Sequence, residues 1–445
     1  MFSRTAFLAT SALLVAAVQA SVGPLETTAA SPIVHHKPFV VVWNMPTSRC
    51  QSKFGISFDL AMFDIVENQQ ESFQGQNMTI FYRDSLGQYP YITPEGELTN
   101  GGVPQEAALE RHLGTAKLEI EDLLREDFSG LAVIDWEEWR PLWARNWGSL
   151  RKYRRVSKKL VRLRHPELPE KKVLETAKME FEMAARELMS RTLQLGSHLR
   201  PLGMWGYYKF PDCYNYNWKK PGNYTGHCHP KDPERNDRLA WMWQGSTALY
   251  PSIYLHRPLA SSGKGALYVR YRVLEAMRVA TSFASASGSL PVLPYARVAF
   301  AQSLKYLSQM DLEHTIGESA SLGAAGVVLW GDLSFTHTQH TCEELQEYVS
   351  GVLGRYVVNV TTAARQCSAR LCSGNGRCAR RDQNSNTRFH LSPYSFQIIS
   401  PPSPGRGALS VRGKLSKRDL WQLQDSFRCV CYRGWSGLRC QDRIL

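Results

Sequence analysis

The sequence predicts an α/β fold: a distorted TIM-like (β/α) barrel followed by a small disulfide-rich module resembling an EGF-like domain. Three observations predict it. Short apolar runs alternate with helix-length amphipathic segments through residues 21–360, the pattern of a mainly parallel sheet. Polar or aromatic residues stand where several of those runs finish, and chemistry gathered from many strand ends is how a barrel builds a site. Six of the ten cysteines crowd into the segment 361–445. No Gly-rich phosphate loop follows the first apolar run, which disfavours the open nucleotide-binding sheet that the same number of strands would also allow.

Taken in order, residues 1–20 carry Arg4, an apolar stretch and a small residue, Ala20, before a cleavage point, the make-up of a secretory leader. The stretch is too short to span a bilayer, and no later segment has the long uncharged run of a membrane helix. Strands are expected at 39–44, 78–82, 131–135, 204–208, 252–255, 292–300 and 326–330. Their ends bear Asn44, Tyr82, Asp135 with Glu137, Tyr208 with Asp212, Tyr254, and Trp330 with Asp332. Helices are expected near 105–124, 237–249, 265–282 and 342–353. The clearest spans 170–199, where Val173, Leu174, Ala177, Phe181, Ala184, Leu188 and Leu195 recur at helical spacing after Pro169. The run RKYRRVSKKLVRLR at 151–164 reads as a solvated helix face with Val156, Leu160 and Leu163 turned to the core; polyanion docking is the alternative. Residues 382–413, with Pro393, Pro401, Pro402 and Pro404, read as an insertion between Cys378 and Cys429. The chain ends in CQDRIL, so no lipid anchor of the GPI type is expected.

Fifty-three basic residues against 40 acidic ones give a formal net charge of +13, or +12 once Arg4 leaves with the leader. A basic secreted protein is biased towards polyanions, and outside the cell these are glycosaminoglycans more often than nucleic acid. The even cysteine count permits full pairing in an oxidising compartment. In the cysteine-rich tail, the secreted character of the chain and the absence of paired histidines argue against a zinc site, and neither metal nor cofactor is expected. Acceptor sequons at Asn77, Asn223 and Asn359 agree with passage through the secretory pathway.

The segment LAVIDWEEWR at 131–140 carries the chemistry. Side chains alternate along a strand, so Val133, Asp135 and Glu137 share one face while Ile134, Trp136 and Glu138 share the other. Asp135 and Glu137 are separated by roughly 6.6 Å of rise. At that separation, ionising one disfavours ionising the other, and one carboxyl stays protonated as a general acid. Glu138 faces away and is expected to pair with a basic group. A plain strand running into a charged loop is the competing interpretation. Two carboxyls on one strand cannot flank a glycosidic bond as acid and nucleophile. A substrate-assisted route avoids the difficulty: the 2-acetamido oxygen of the sugar attacks while one carboxyl donates the proton, which implies an N-acetylated substrate.

Six segments then carry a resemblance: FVVVWN at 39–44, NMTIFY at 77–82, GLAVIDWEEWRP at 130–141, MWGYYKFPDCYNY at 204–216, ALYPSIY at 248–254 and IGESASLGAAGVVLWGD at 316–332. From Pro38 to the last cysteine the chain resembles the animal hyaluronidases, and among them the soluble vertebrate paralogues. The resemblance implies that Glu137 is the proton donor, that Asp135 shares its proton and orients the acetamido group, and that Tyr208 and Trp330 hold that group. It implies that Tyr250 lines the site and that Asn44, Tyr82, Arg140, Asp212, Tyr216 and Arg272 lie in or beside the cleft. Arg140 and Arg272 suit substrate carboxylates, with an internal salt bridge as the ordinary alternative. The implied disulfides join Cys50 with Cys342, Cys213 with Cys228, Cys367 with Cys378, Cys372 with Cys429, and Cys431 with Cys440. The expected activity is endo-hydrolysis of the β-1,4 bonds between N-acetylglucosamine and glucuronate in hyaluronan, with retention. The expected protein is a monomer, secreted or lysosomal, that binds hyaluronan and secondarily chondroitin, with no nucleic-acid partner and no integral membrane segment. Two alternatives stand beside it: a chondroitin-preferring hydrolase, and a weakly active or non-catalytic hyaluronan-binding or signalling paralogue, against which the intact Asp135 and Glu137 count.

Overall fold

The computed structural model describes residues 28–68, 71–219, 222–284, 288–400 and 408–444 of the protein; the expected leader at 1–20 lies outside them. Parallel strands β1 (Val40–Asn44), β2 (Ile65–Glu67), β3 (Met78–Tyr82), β4 (Leu131–Asp135), β5 (Met204–Tyr207), β6 (Tyr295–Ala296) and β7 (Gly326–Trp330) form two ladders, β2-β1-β7-β6 and β3-β4-β5. Single parallel bridges Tyr208 to Tyr250, Leu249 to Val292 and Ser252 to Tyr295 join the two ladders through residues 249–252. The circuit is then continuous except at one seam, between β2 and β3. There the Asn77 N–H donates to the Glu67 carboxylate at 3.0 Å. The result is a (β/α) barrel, distorted where the seam replaces a ladder.

Alternation sets the layers. Val40, Val42, Met78, Ile80, Leu131, Val133, Tyr250, Tyr295 and Val328 fill the interior of the barrel. Their neighbours Val41, Trp43, Val327 and Leu329 pack outward on one side, and Phe81, Ala132 and Ile134 on the other. Burial on both faces is why these strands read as unbroken apolar runs.

Among the longer helices are α1 (Leu109–Leu123), α2 (Arg151–Arg164), α3 (Glu170–Leu199), α4 (Gly263–Ser282), α5 (Gln339–Tyr348), α6 (Gly354–Leu371) and α7 (Lys417–Ser426). Helix α3 starts after Pro169 and buries Val173, Ala177, Phe181 and Leu188, while Leu174 faces solvent. In α2 the buried stripe is Tyr153, Ser157 and Val161, so Leu163, expected inside, is exposed: the stripe sits one residue round from the expected one. The single helix expected at 237–249 is two short ones, Asp232–Asp237 and Ala240–Gly245. The strand expected at 252–255 is displaced towards 249–252, where Pro251 offers no N–H for a ladder and leaves only isolated bridges.

Helix α6 runs across residue 360, where the module was expected to begin, and delivers Cys367 and Cys372 to it. Beyond it, β8 (Gly376–Arg380) pairs antiparallel with β11 (Phe427–Cys431), and β9 (Phe396–Ile399) with β10 (Ser410–Gly413), the latter pair lying in the polar insertion. All ten cysteines are paired: Cys50–Cys342, Cys213–Cys228, Cys367–Cys378, Cys372–Cys429 and Cys431–Cys440. Glu318, fully buried, binds Arg270 of α4 at 2.6 Å, Arg380 of β8 at 2.9 Å and Arg388 of the insertion at 3.4 Å, locking module to barrel. Among the described residues no helix is long and apolar enough to cross a membrane.

Candidate functional site

Strand β4 ends at Asp135, in register with Tyr82 of β3. Its inward residues lead into a pocket at the C-terminal mouth of the barrel, lined by Ile80, Val133, Asp135, Glu137, Tyr208, Tyr254, Tyr295 and Trp330. Outward, Trp136 stacks on Tyr89 with ring centroids 4.5 Å apart, and the Trp139 indole donates to the Pro90 carbonyl at 2.8 Å. These anchors hold the turn after the strand. Glu138 leaves the pocket as the alternation predicts and takes Arg83 at 2.7 Å.

The two carboxyls in the pocket differ in environment. Burial, then the charge of Glu137, pushes the Asp135 carboxyl up to about 7, and its buried Oδ1 has no hydrogen-bond partner among the described residues. Glu137 is less enclosed. Its carboxylate receives the Lys209 ammonium and lies 3.6 Å from the Arg140 guanidinium, which also donates to the Glu137 carbonyl at 2.8 Å. Asp135 thus keeps its proton in a buried niche, while Glu137 stands at the opening between two cations.

Aromatic groups form the facing wall. Trp330 stacks near-parallel to Tyr254, with centroids 6.2 Å apart, and to Phe73 at 6.0 Å. Its indole N–H donates to the Tyr82 hydroxyl at 3.4 Å, and the Arg297 guanidinium stands 5.4 Å from its ring. The Tyr208 hydroxyl donates to Ser252 Oγ at 3.3 Å. Burial, then the charge of Glu137, drives this phenol far above its ordinary range, so it remains a neutral hydrogen-bonding group. A stacked indole and neutral phenols suit a sugar ring or a flat amide.

The structure therefore brings together Asp135, Glu137, Tyr208 and Trp330, with Tyr82 against the last. It does not bring Tyr250. That side chain is wholly buried in the barrel interior and its hydroxyl donates to the Met204 carbonyl at 2.6 Å. Tyr250 and Tyr254 lie four residues apart on one inward face, and the deeper of the two was expected at the cleft. Asn44 is a buried floor residue whose amide contacts Met78 Sδ at 3.0 Å. Arg272 is also buried, donating to Asn215 Oδ1 at 2.9 Å and the Ser252 carbonyl at 2.8 Å, and so braces the wall from behind. Among the described residues it forms no ion pair with an acid. Tyr216 packs over that guanidinium at 4.7 Å. Asp212 is ion-paired with Arg145 in a neighbouring hollow that Arg140 also lines.

Sequence reasoning missed Ser252, Phe73, Tyr295, Arg297 and Lys209, and noted Tyr254 only as a strand end. Of the sequons, Asn77 and Asn223 are exposed, whereas Asn359 lies within α6 and its Oδ1 accepts the Leu391 N–H at 2.8 Å. No cluster of three or more His, Cys, Asp or Glu that would hold a metal occurs among the described residues.

Comparison with known proteins matches residues 28–444 to the family model described as Hyaluronidase. Hyaluronidase-1 of Rattus norvegicus is 48% identical over 410 residues, 92% of this chain and 90% of that protein. Hyaluronidase-2 of Homo sapiens is 46% identical over 417 residues, 93% of this chain and 87% of that one. The crystal structure of bee venom hyaluronidase in complex with a hyaluronic acid tetramer superposes with a TM-score of 0.65 at 33% identity, covering 72% of this chain and 98% of that one.

Proposed function

The chain belongs to the hyaluronidase family, and from that premise we propose a retaining, substrate-assisted cleavage of hyaluronan in which Glu137 is the proton donor. The enzyme is a glycoside hydrolase and its substrate is hyaluronan. The observation that carries the mechanism is the lining of the pocket: among the described residues Asp135 and Glu137 are its only carboxyls, and both come from one strand end. With no opposed carboxylate in that lining to attack the anomeric carbon, the acetamido oxygen of the N-acetylglucosamine does so. The C1–O bond breaks as Glu137 gives its proton to the leaving O4 of the glucuronate. The oxazolinium ion that results is attached to no protein atom, and water opens it with Glu137 as base, restoring the configuration. Asp135, protonated near neutrality, and the neutral Tyr208 hold the acetamido group in line, while Trp330 covers it.

The same proposal makes residues 21–360 the catalytic barrel and 361–445 the disulfide-rich module of a secreted or lysosomal glycoprotein. The leader-like residues 1–20, the exposed Asn77 and Asn223, and the five disulfides support it. A thiazoline analogue of N-acetylglucosamine is expected to inhibit, and hyaluronan stripped of its N-acetyl groups to resist cleavage. A covalent glycosyl-enzyme trapped on any carboxylate would refute the mechanism.

A further inference from the structure

Lys209 sits at the exit of β5, between Tyr208 and Phe210, with φ +76. That is the left-handed region, which glycine takes freely and an L side chain enters only at a cost. Its N–H donates to the Tyr250 carbonyl at 2.8 Å, so the turn is fixed by the barrel. A non-glycine residue held in this region beside a cleft is the setting in which backbone strain serves a site. The side chain, 35% exposed, puts its ammonium on the carboxylate of Glu137, which lines the pocket. The charged groups around Glu137 are thus Lys209, Arg140 at 3.6 Å and Asp135, since Glu138 is turned away onto Arg83.

This arrangement sets two cations against the carboxylate of Glu137, whereas donation requires a proton there. The substrate resolves the conflict. In hyaluronan the leaving O4 belongs to a glucuronate, and the uronate carboxylate hangs from the ring carbon next to the one that bears O4. Whatever brings O4 to Glu137 also brings a second negative charge beside it. We propose that Lys209 is a specificity-determining residue: on substrate arrival its ammonium leaves Glu137 and pairs with the uronate carboxylate on the leaving-group side. Glu137 then loses one of its two cations, at the moment when a proton on it is needed, and keeps Arg140 alone. Arrival of the correct polymer thereby arms the acid, and a neutral polymer of the same shape does not. The inference rests on Glu137 as donor.

The test compares hyaluronan with carboxyl-reduced hyaluronan, whose glucuronates have become glucose, on the whole secreted enzyme. The wild type is expected to favour hyaluronan in kcat/KM by roughly tenfold, the worth of one charge-assisted hydrogen bond. Lys209→Met is expected to bring the ratio near one, and Lys209→Arg to keep it. A ratio taken within one preparation does not depend on the fraction folded. If Lys209→Met proves inactive on both polymers, the ratio is read instead from the binding of the two oligosaccharides, followed by tryptophan fluorescence. An unchanged ratio in Lys209→Met, or no preference in the wild type, would overturn the proposal. Failure of the donor assignment would appear separately, as cleavage by Glu137→Gln.

Discussion

Replacing Asp135 with asparagine removes a titration from the folded protein while keeping the shape of the side chain. Native Asp135 holds its proton up to about pH 7, whereas the ordinary value is 3.8. Between those limits the folded chain binds a proton that the unfolded chain has released. Stability therefore falls as pH rises through this window: the contribution is fully present below the lower value and gone above the upper one. Each pH unit in the window is worth about 1.4 kcal/mol, so the whole of it is worth about 4 kcal/mol. The substituted amide does not titrate, and the cost of ionising a buried carboxyl disappears with it. Urea unfolding of the disulfide-intact protein at pH 4, 6 and 8 is expected to show the Asp135→Asn variant gaining stability on the wild type as pH rises, by about 4 kcal/mol over the range. Turnover is expected to collapse in the same variant. Stability curves that run parallel in pH would mean that Asp135 is not desolvated in the folded state, and the assignment of the shared proton would fall with it.

Glu137→Gln is expected to lower hyaluronan turnover by roughly a hundredfold or more, with wild-type rates the outcome that rejects Glu137 as donor. Glu318→Gln leaves the buried Arg270 and Arg380 guanidinium groups short of an anion and is expected to cost roughly 3–5 kcal/mol. Urea unfolding measures that loss, and a change below roughly 1 kcal/mol would mean that the cluster is not a lock. Along α2, Lys158 and Arg162 are spent on Glu170, and Arg164 on Glu106 and Glu180. Changing the remaining exposed cations Arg151, Arg155 and Lys159 to Gln is therefore expected to leave the salt dependence of heparin binding unaltered; a flattened profile would revive polyanion docking.

What the sequence made legible, and what it hid, follows the reach of its local signals. Strands buried on both faces announce themselves as apolar runs, so β1, β3, β4 and β7 were legible to within a residue. The alternation in 131–138 correctly sent Glu138 away from Asp135 and Glu137. The stretch around Pro251 carries no such run, so the strand there was expected three residues late, and Tyr250, set at the cleft by resemblance alone, is buried in the barrel while Tyr254 lines the pocket. Lys209 and Arg297 gave no signal at all, because a lone cation in a basic chain becomes meaningful only once the fold sets it against an acid or a ring. Arg272, expected in or beside the cleft, stands behind its wall, and the burial that makes it a brace is set by the fold and not by its neighbours in sequence.

Helix α6 bears on how this protein could be recombined with its relatives. The helix packs its Val357, Val360 and Ala364 into the core that surrounds the barrel, and further along presents Cys367 and Cys372 to the module. A chimaera spliced at residue 360 would cut a continuous hydrogen-bonded rod, its first part seated in one parent's core and its last part, with Cys367 and Cys372, arriving from the other. A crossover placed after Cys372 fails for a different reason: Glu318 of the barrel would then face a foreign residue in place of Arg380. Exchange of the C-terminal piece thus requires moving helix and buried acid together. The tail of this enzyme is inherited with its barrel, as a handle is cast with a tool rather than screwed on.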